Sequence, residues 1–135
     1  MRDHTQVAAT EVLSRGRAAF DREAWHEAYE LLTEADRRSP LAPEDLDRLA
    51  TAAYLVGEEA VSAEVRTRAH TAFLTRGDTP RAARSAFWLA FTAIDRPNQQ
   101  AVASGWLARV RRLLDDCPPG WPACAVPETT PPPRP

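Results

Sequence analysis

The stretch GRAAFDREAWHEAYELLTEADRRSP, residues 16–40, decides the fold. Trp25, Ala28, Tyr29, Leu32 and Ala35 fall at the i, i+3, i+4, i+7, i+10 spacing that puts apolar side chains on one face of an α-helix. Most of the remaining positions between Glu23 and Arg38 are charged or polar, with Ala24 and Leu31 the exceptions. Ser39-Pro40 stops the helix, because proline lacks a backbone donor and disfavours helical geometry in the residue before it. Gly16 and Ala19 lie upstream on a second helical stretch. Small side chains there let another helix axis approach closely.

Working outward, the same grammar repeats. A first helix runs from about Thr5 to Asp21, with Val12, Leu13, Gly16, Ala19 and Phe20 on adjoining turns. A second runs from Glu23 to Arg38. A third opens at Pro43, a residue suited to the first helical position, and closes at Gly57. A fourth spans Glu59 to Arg76 with an inner face of Val61, Val65, Ala69, Ala72 and Phe73. A fifth is capped by Thr79, opened by Pro80 and striped with Ala83, Ala86, Phe87, Ala90 and Ile94. A sixth follows Pro97-Asn98 and buries Ala103, Trp106, Leu107, Val110 and Leu114. Connections of two to six residues force neighbouring helices to run antiparallel. Small residues recur mid-helix at Ala28, Ala50, Ala69, Ala90 and Ala103, and large ones such as Trp25, Leu32 and Trp106 fill the space between pairs. Strand-like alternation does not persist anywhere. The fold expected is therefore all-α, either a compact bundle or a stack of helix hairpins.

Composition bounds the rest. A chain of 135 residues fits one domain or a short repeat array. Its net charge of −2 does not advertise nucleic acid or an anionic membrane. The sequence contains no apolar run long enough for a transmembrane helix, and the N-terminus lacks the basic-then-apolar pattern of a secretory leader, so the expected location is cytoplasmic. All 17 basic residues are arginine. Charge is lopsided: residues 1–64 hold 14 acidic and seven basic groups, and residues 65–135 hold five and ten. Such polarity is compatible with head-to-tail association, so a homo-oligomer stays open.

Residues 117–135, CPPGWPACAVPETTPPPRP, separate from the helical body of residues 1–116. Eight prolines exclude a helix there, and the segment is expected to be extended or disordered. Cys117 and Cys124 fit free thiols, a tail disulfide or half a metal site.

The pattern Gly16, Trp25, Ala28, Leu32, Ala35 and Pro40 resembles a tetratricopeptide repeat, a 34-residue helical hairpin. One period on, Leu49-Ala50, Gly57 and Ala69 match again, while Ser62 and Arg66 stand where alanine and a large apolar residue are usual. A third unit carries Leu89-Ala90, Ala103, Leu107 and Val110. The phrases ELLTEADRRSPLAPEDLDRLATAAYLVG, RAHTAFLTRGDTPRAARSAFWLAF and GWLARVRRLLDD further resemble the N-terminal repeat region of bacterial LuxR-type transcriptional regulators. The resemblance implies a TPR-like array of three antiparallel hairpins, an α-solenoid, serving as a regulatory or protein-contact module. It also implies a groove lined by the first helix of each pair. The matching positions are Leu13, Arg17, Phe20, Asp21, Glu44, Asp47, Thr51, Tyr54, Arg84, Phe87 and Phe91. Rings there would anchor a protein or peptide segment and charges would fix its register. Phe20, Tyr54 and Phe87 read equally as core.

In those regulators a helix-turn-helix follows the repeats. Here the proline-rich stretch stands in its place, so DNA binding by this chain is not expected. Two alternatives remain: a DNA-associated regulator using Arg66 and Arg68 after the turn at Gly57, and a truncated relic without function of its own. Catalysis is not expected. His26 with Glu27 and Glu30 lacks a second ligand-bearing helix, and neither a phosphate-cradling loop nor a nucleophile elbow occurs. No cofactor or metal is called for.

Overall fold

A computed structural model describes the backbone of residues 4–116 and side chains from residue 8. The calls on residues 117–135, including the cysteines, lie outside the described residues. Six helices follow in order: α1 His4–Asp21, α2 Trp25–Arg38, α3 Pro43–Leu55, α4 Glu59–Thr75, α5 Thr79–Ile94 and α6 Gln100–Asp115. Strands are absent among the described residues, so the protein is all-α.

The chain forms two compact units that part at Phe73, inside the last turns of α4. In the first, α2 packs on both α1 and α3, and α1 also meets α3. Glycine sets the closest of these approaches. A Cβ on Gly16 would stand 3.0 Å from Leu32 Cγ and Cδ2. Ala19, Ala28, Leu32, Ala35, Ala50 and Ala53 are sealed at 2% exposure or less. In the second unit α5 packs against α6, with Ala82, Ala86 and Ala90 fully buried. Alanine at these contacts brings helix axes close at no cost in side-chain entropy.

The turns are chemically alike. Glu23, Gly57 and Gly77 have φ of 61°, 90° and 80°. In each case the next amide donates to a carbonyl five residues back: Ala24 to Ala19, Glu58 to Ala53 and Asp78 to Phe73. That is the left-handed helix stop glycine favours. Glu23 adopts it without glycine, so α2 starts at Trp25, two residues later than expected.

Four further expectations change. On α5 the stripe residues Phe87 and Ile94 are exposed, and Ala82, Ser85, Leu89 and Ala93 join the buried alanines instead. Asp78 caps α5, not Thr79; its carboxylate accepts from the Arg81 amide at 3.3 Å. On α4 the buried face is Ser62, Val65, Arg66, Ala69, His70 and Phe73, while Val61 and Ala72 are only half-buried. Polar groups take the inner stripe because α3 offers them acceptors, described below. On α6 only Ala103 is buried; Trp106, Val110 and Leu114 are half-covered and Leu107 is 43% exposed.

Candidate functional site

The first unit holds an open cleft of about 1080 Å³ between α1, the end of α2 and the start of α3. Ala9, Leu13, Ala35, Pro40 and Leu41 give it an apolar floor; Thr10, Glu11, Ser14 and Ser39 supply hydroxyls and a carboxylate. α1 contributes Thr10, Leu13, Ser14 and Arg17 because those positions are three or four apart and share a face. The kink at Ser39-Pro40, with the Leu41 amide donating to Asp36 at 3.3 Å, separates α2 from α3 and leaves the space open.

At one end sits Asp45, 1% exposed. Arg17 grips it with both arms, Nε to Oδ1 at 2.8 Å and Nη2 to Oδ2 at 2.6 Å. Arg48 Nη1 adds a third bond to Oδ1 at 2.9 Å. A buried carboxylate is tolerable only when its lone pairs are met this way. The hydrogen bond to Asp45 holds the Arg17 guanidinium above its usual pKa, with burial opposing and the charges of Asp45 and Glu44 adding to it. Arg17 is still half exposed, so it presents positive charge to the cleft while its plane is fixed.

A second polar cluster lies where α3 meets α4. Arg66, 10% exposed, donates to Asp47 and, at 3.3 Å, to Thr51 Oγ1. Thr51 donates to the Asp47 carbonyl at 3.0 Å. Ser62 donates to the Ala50 carbonyl at 2.7 Å. The two residues that depart from an apolar pattern, Ser62 and Arg66, therefore have partners on the facing helix. Arg68 makes a two-armed bond to Asp36, at 2.8 and 2.9 Å, which pulls the Asp36 carboxyl below its usual range. Arg66 and Arg68, the guanidiniums a DNA reading would use, are thus both engaged by carboxylates.

The expected groove residues divide accordingly. Leu13 and Arg17 line the cleft, with Glu44 acting on Arg17 through charge. Asp47 and Thr51 belong to the α3–α4 cluster. Phe20 packs edge-on against Trp25, ring centroids 5.2 Å apart, and serves the α1–α2 contact. Asp21 closes α1 at the surface, and Tyr54 is 43% exposed near the end of α3. In the second unit Arg84 is exposed, and Phe87 and Phe91 stack at 6.3 Å. Asp45 was missed in the sequence, since its partner Arg17 is 28 positions away and no local pattern marks it. Trp88 was missed for another reason: it stands outside the α5 stripe that periodicity selects.

Glu27 pairs with Arg22 at 2.8 Å, and no group of three or more metal-capable side chains occurs among the described residues. No described helix is long and apolar enough to cross a membrane. Comparison with protein-family models, curated proteins and solved structures returned no match.

Proposed function

We propose that this chain is a non-catalytic helical-repeat module of the tetratricopeptide kind, related to the repeat region of LuxR-type regulators, that binds a protein or peptide segment along the first helices of its hairpins. The observation that carries the reading is the cleft between α1 and α3, with Leu13 and Arg17 on its wall; in this reading α1 and α3 are the first helices of successive hairpins. Support also comes from burial at the 34-residue period. Ala28 and Ser62, Leu32 and Arg66, and Ala35 and Ala69 are each one period apart, and all six are buried.

An open trough with an apolar floor suits an extended or helical segment better than an enclosed small molecule. The segment it fits carries an apolar side chain for Leu13 and Leu41 and a carboxylate for the exposed edge of Arg17. Specificity comes from charge register and affinity from the apolar contact.

A displayed library of random peptides, selected against the chain, tests this. Selected peptides are expected to lose about tenfold in affinity, about 1.4 kcal/mol, with Leu13→Glu and with Ser14→Trp, and to keep it with Glu30→Ala on α2. Circular dichroism checks that helicity is retained. Selected peptides that bind all three variants like the parent would overturn the reading.

A further inference from the structure

α5 presents a ridge of aromatic rings to solvent. Phe87, Trp88 and Phe91 are 46%, 42% and 48% exposed, and Ile94, further along, is 51% exposed. The rings are ordered against one another: Phe87 and Phe91 stack at 25° between planes, and Trp88 stands edge-on to both, at 6.0 and 5.6 Å. Contiguous exposed apolar surface of this kind marks a contact site, whereas a single exposed ring does not.

The two ends of the ridge indicate what fits it. Arg84 and Asp95 are both exposed. Arg84, Trp88, Phe91 and Asp95 follow at steps of four, three and four, so they share one face, with the rings between two opposite charges. Phe87 and Ile94 flank that line. The midpoint between Trp88 and Phe91 is also the midpoint between Arg84 and Asp95, which stand about 8 Å to either side of it along the helix. A twofold axis through that point, perpendicular to α5, brings in a second copy antiparallel. Trp88 of each copy then meets Phe91 of the other, and Arg84 of each meets Asp95 of the other. One position of the axis gives both pairings. The face is thus complementary to itself, which is what an isologous dimer requires. A parallel copy would set like charges together.

The area is sufficient. An aromatic side chain carries about 150–250 Å² of surface, so about half of each ring and of Ile94 comes to about 400 Å² per copy. With Arg84, Asp95 and the surface between them, a pair buries about 1,000 Å² in all, the lower limit for a specific interface. Association of that size is weak and concentration-dependent.

We propose that the chain self-associates through α5 as an antiparallel twofold dimer. Phe87, Trp88, Phe91 and Ile94 are buried against the second copy, and two Arg84–Asp95 pairs fix the register. The inference is independent of the α1–α3 cleft, which lies in the other unit.

Sedimentation equilibrium of the full chain, from micromolar to millimolar concentration, tests it. Reducing buffer keeps the cysteines from cross-linking copies. The weight-average mass is expected to climb from 14.9 kDa towards twice that value, and to stay at 14.9 kDa with Phe91→Glu. Arg84→Asp and Asp95→Arg each put like charges opposite one another at both ends. Each should weaken self-association at least about tenfold while circular dichroism shows helicity retained. Mixed in equal amounts, the two variants complement each other and should associate as the parent does. A parent that stays monomeric overturns the proposal and gives the face to another occupant. Parent-like association in Phe91→Glu overturns it too, because the interface then lies elsewhere. The antiparallel register falls if the charge variants self-associate like the parent, or fail to pair when mixed. Peptide binding at the cleft is read separately, so either idea can fail alone.

Discussion

Replacing Gly16 by alanine asks whether α1 and α2 are as close as described. In an open helix interior, glycine to alanine gains about 1 kcal/mol from propensity. Gly105 in α6 is such a site, with nothing within 4 Å of an added Cβ. At Gly16 the new Cβ would meet Leu32 Cγ and Cδ2 at 3.0 Å and Leu31 Cβ at 3.3 Å. Leu32 is fully buried, so it can give way only by displacing its packed neighbours. Overpacking of this kind costs about 1–3 kcal/mol. Gly105→Ala should therefore stabilise by up to about 1 kcal/mol, and Gly16→Ala should fall below it by about 1–3 kcal/mol. Urea unfolding followed by far-ultraviolet circular dichroism measures both. The cause is isolated by a cycle: Leu32→Ala alone costs about 2–5 kcal/mol, and less when Gly16→Ala is already present, because the truncation relieves the clash. If Gly16→Ala stabilises as much as Gly105→Ala, or if the two changes at 16 and 32 simply add, the close approach is wrong.

Asp78→Ala should cost about 1 kcal/mol through loss of the α5 cap, while Thr79→Ala stays within about 0.5 kcal/mol; unfolding midpoints compare them. Arg66→Met should cost about 2–4 kcal/mol by removing the guanidinium from part-buried Asp47, and adding Asp47→Leu should recover most of it in the same assay. Asp36 has its pKa lowered by Arg68, so its contribution is present above about pH 4 and lost as pH falls through the depressed value. Arg68 is 41% exposed, so solvent screening holds the effect under about 1 kcal/mol. Acid titration of stability should be correspondingly shallower in Asp36→Asn.

The described helices and most of their boundaries were legible because they follow from local spacing. The apolar stripe of α2, proline at the starts of α3 and α5, and glycine after α3 and α4 each act within a turn or two. Buried alanines at 28, 50, 69, 90 and 103 were legible for the same reason. Partnership between helices was not. Asp45 looks like any first-turn carboxylate until Arg17 arrives from α1, and Ser62 and Arg66 look like lapses in an apolar pattern until α3 supplies Ala50 and Asp47. Glu23 looks like an ordinary helical residue, yet it takes the left-handed turn. On α6 the apolar stripe overstated burial, because periodicity reports which face could be covered and not what covers it.

The cleft between α1 and α3 is the centre of the functional account. Titrating an isotope-labelled chain with a library-selected peptide and mapping backbone amide shifts tests it most directly. Shifts should concentrate at residues 9–17 and 39–45. Shifts spread evenly along the helices, or centred on the α5 rings while the cleft stays silent, would contradict it.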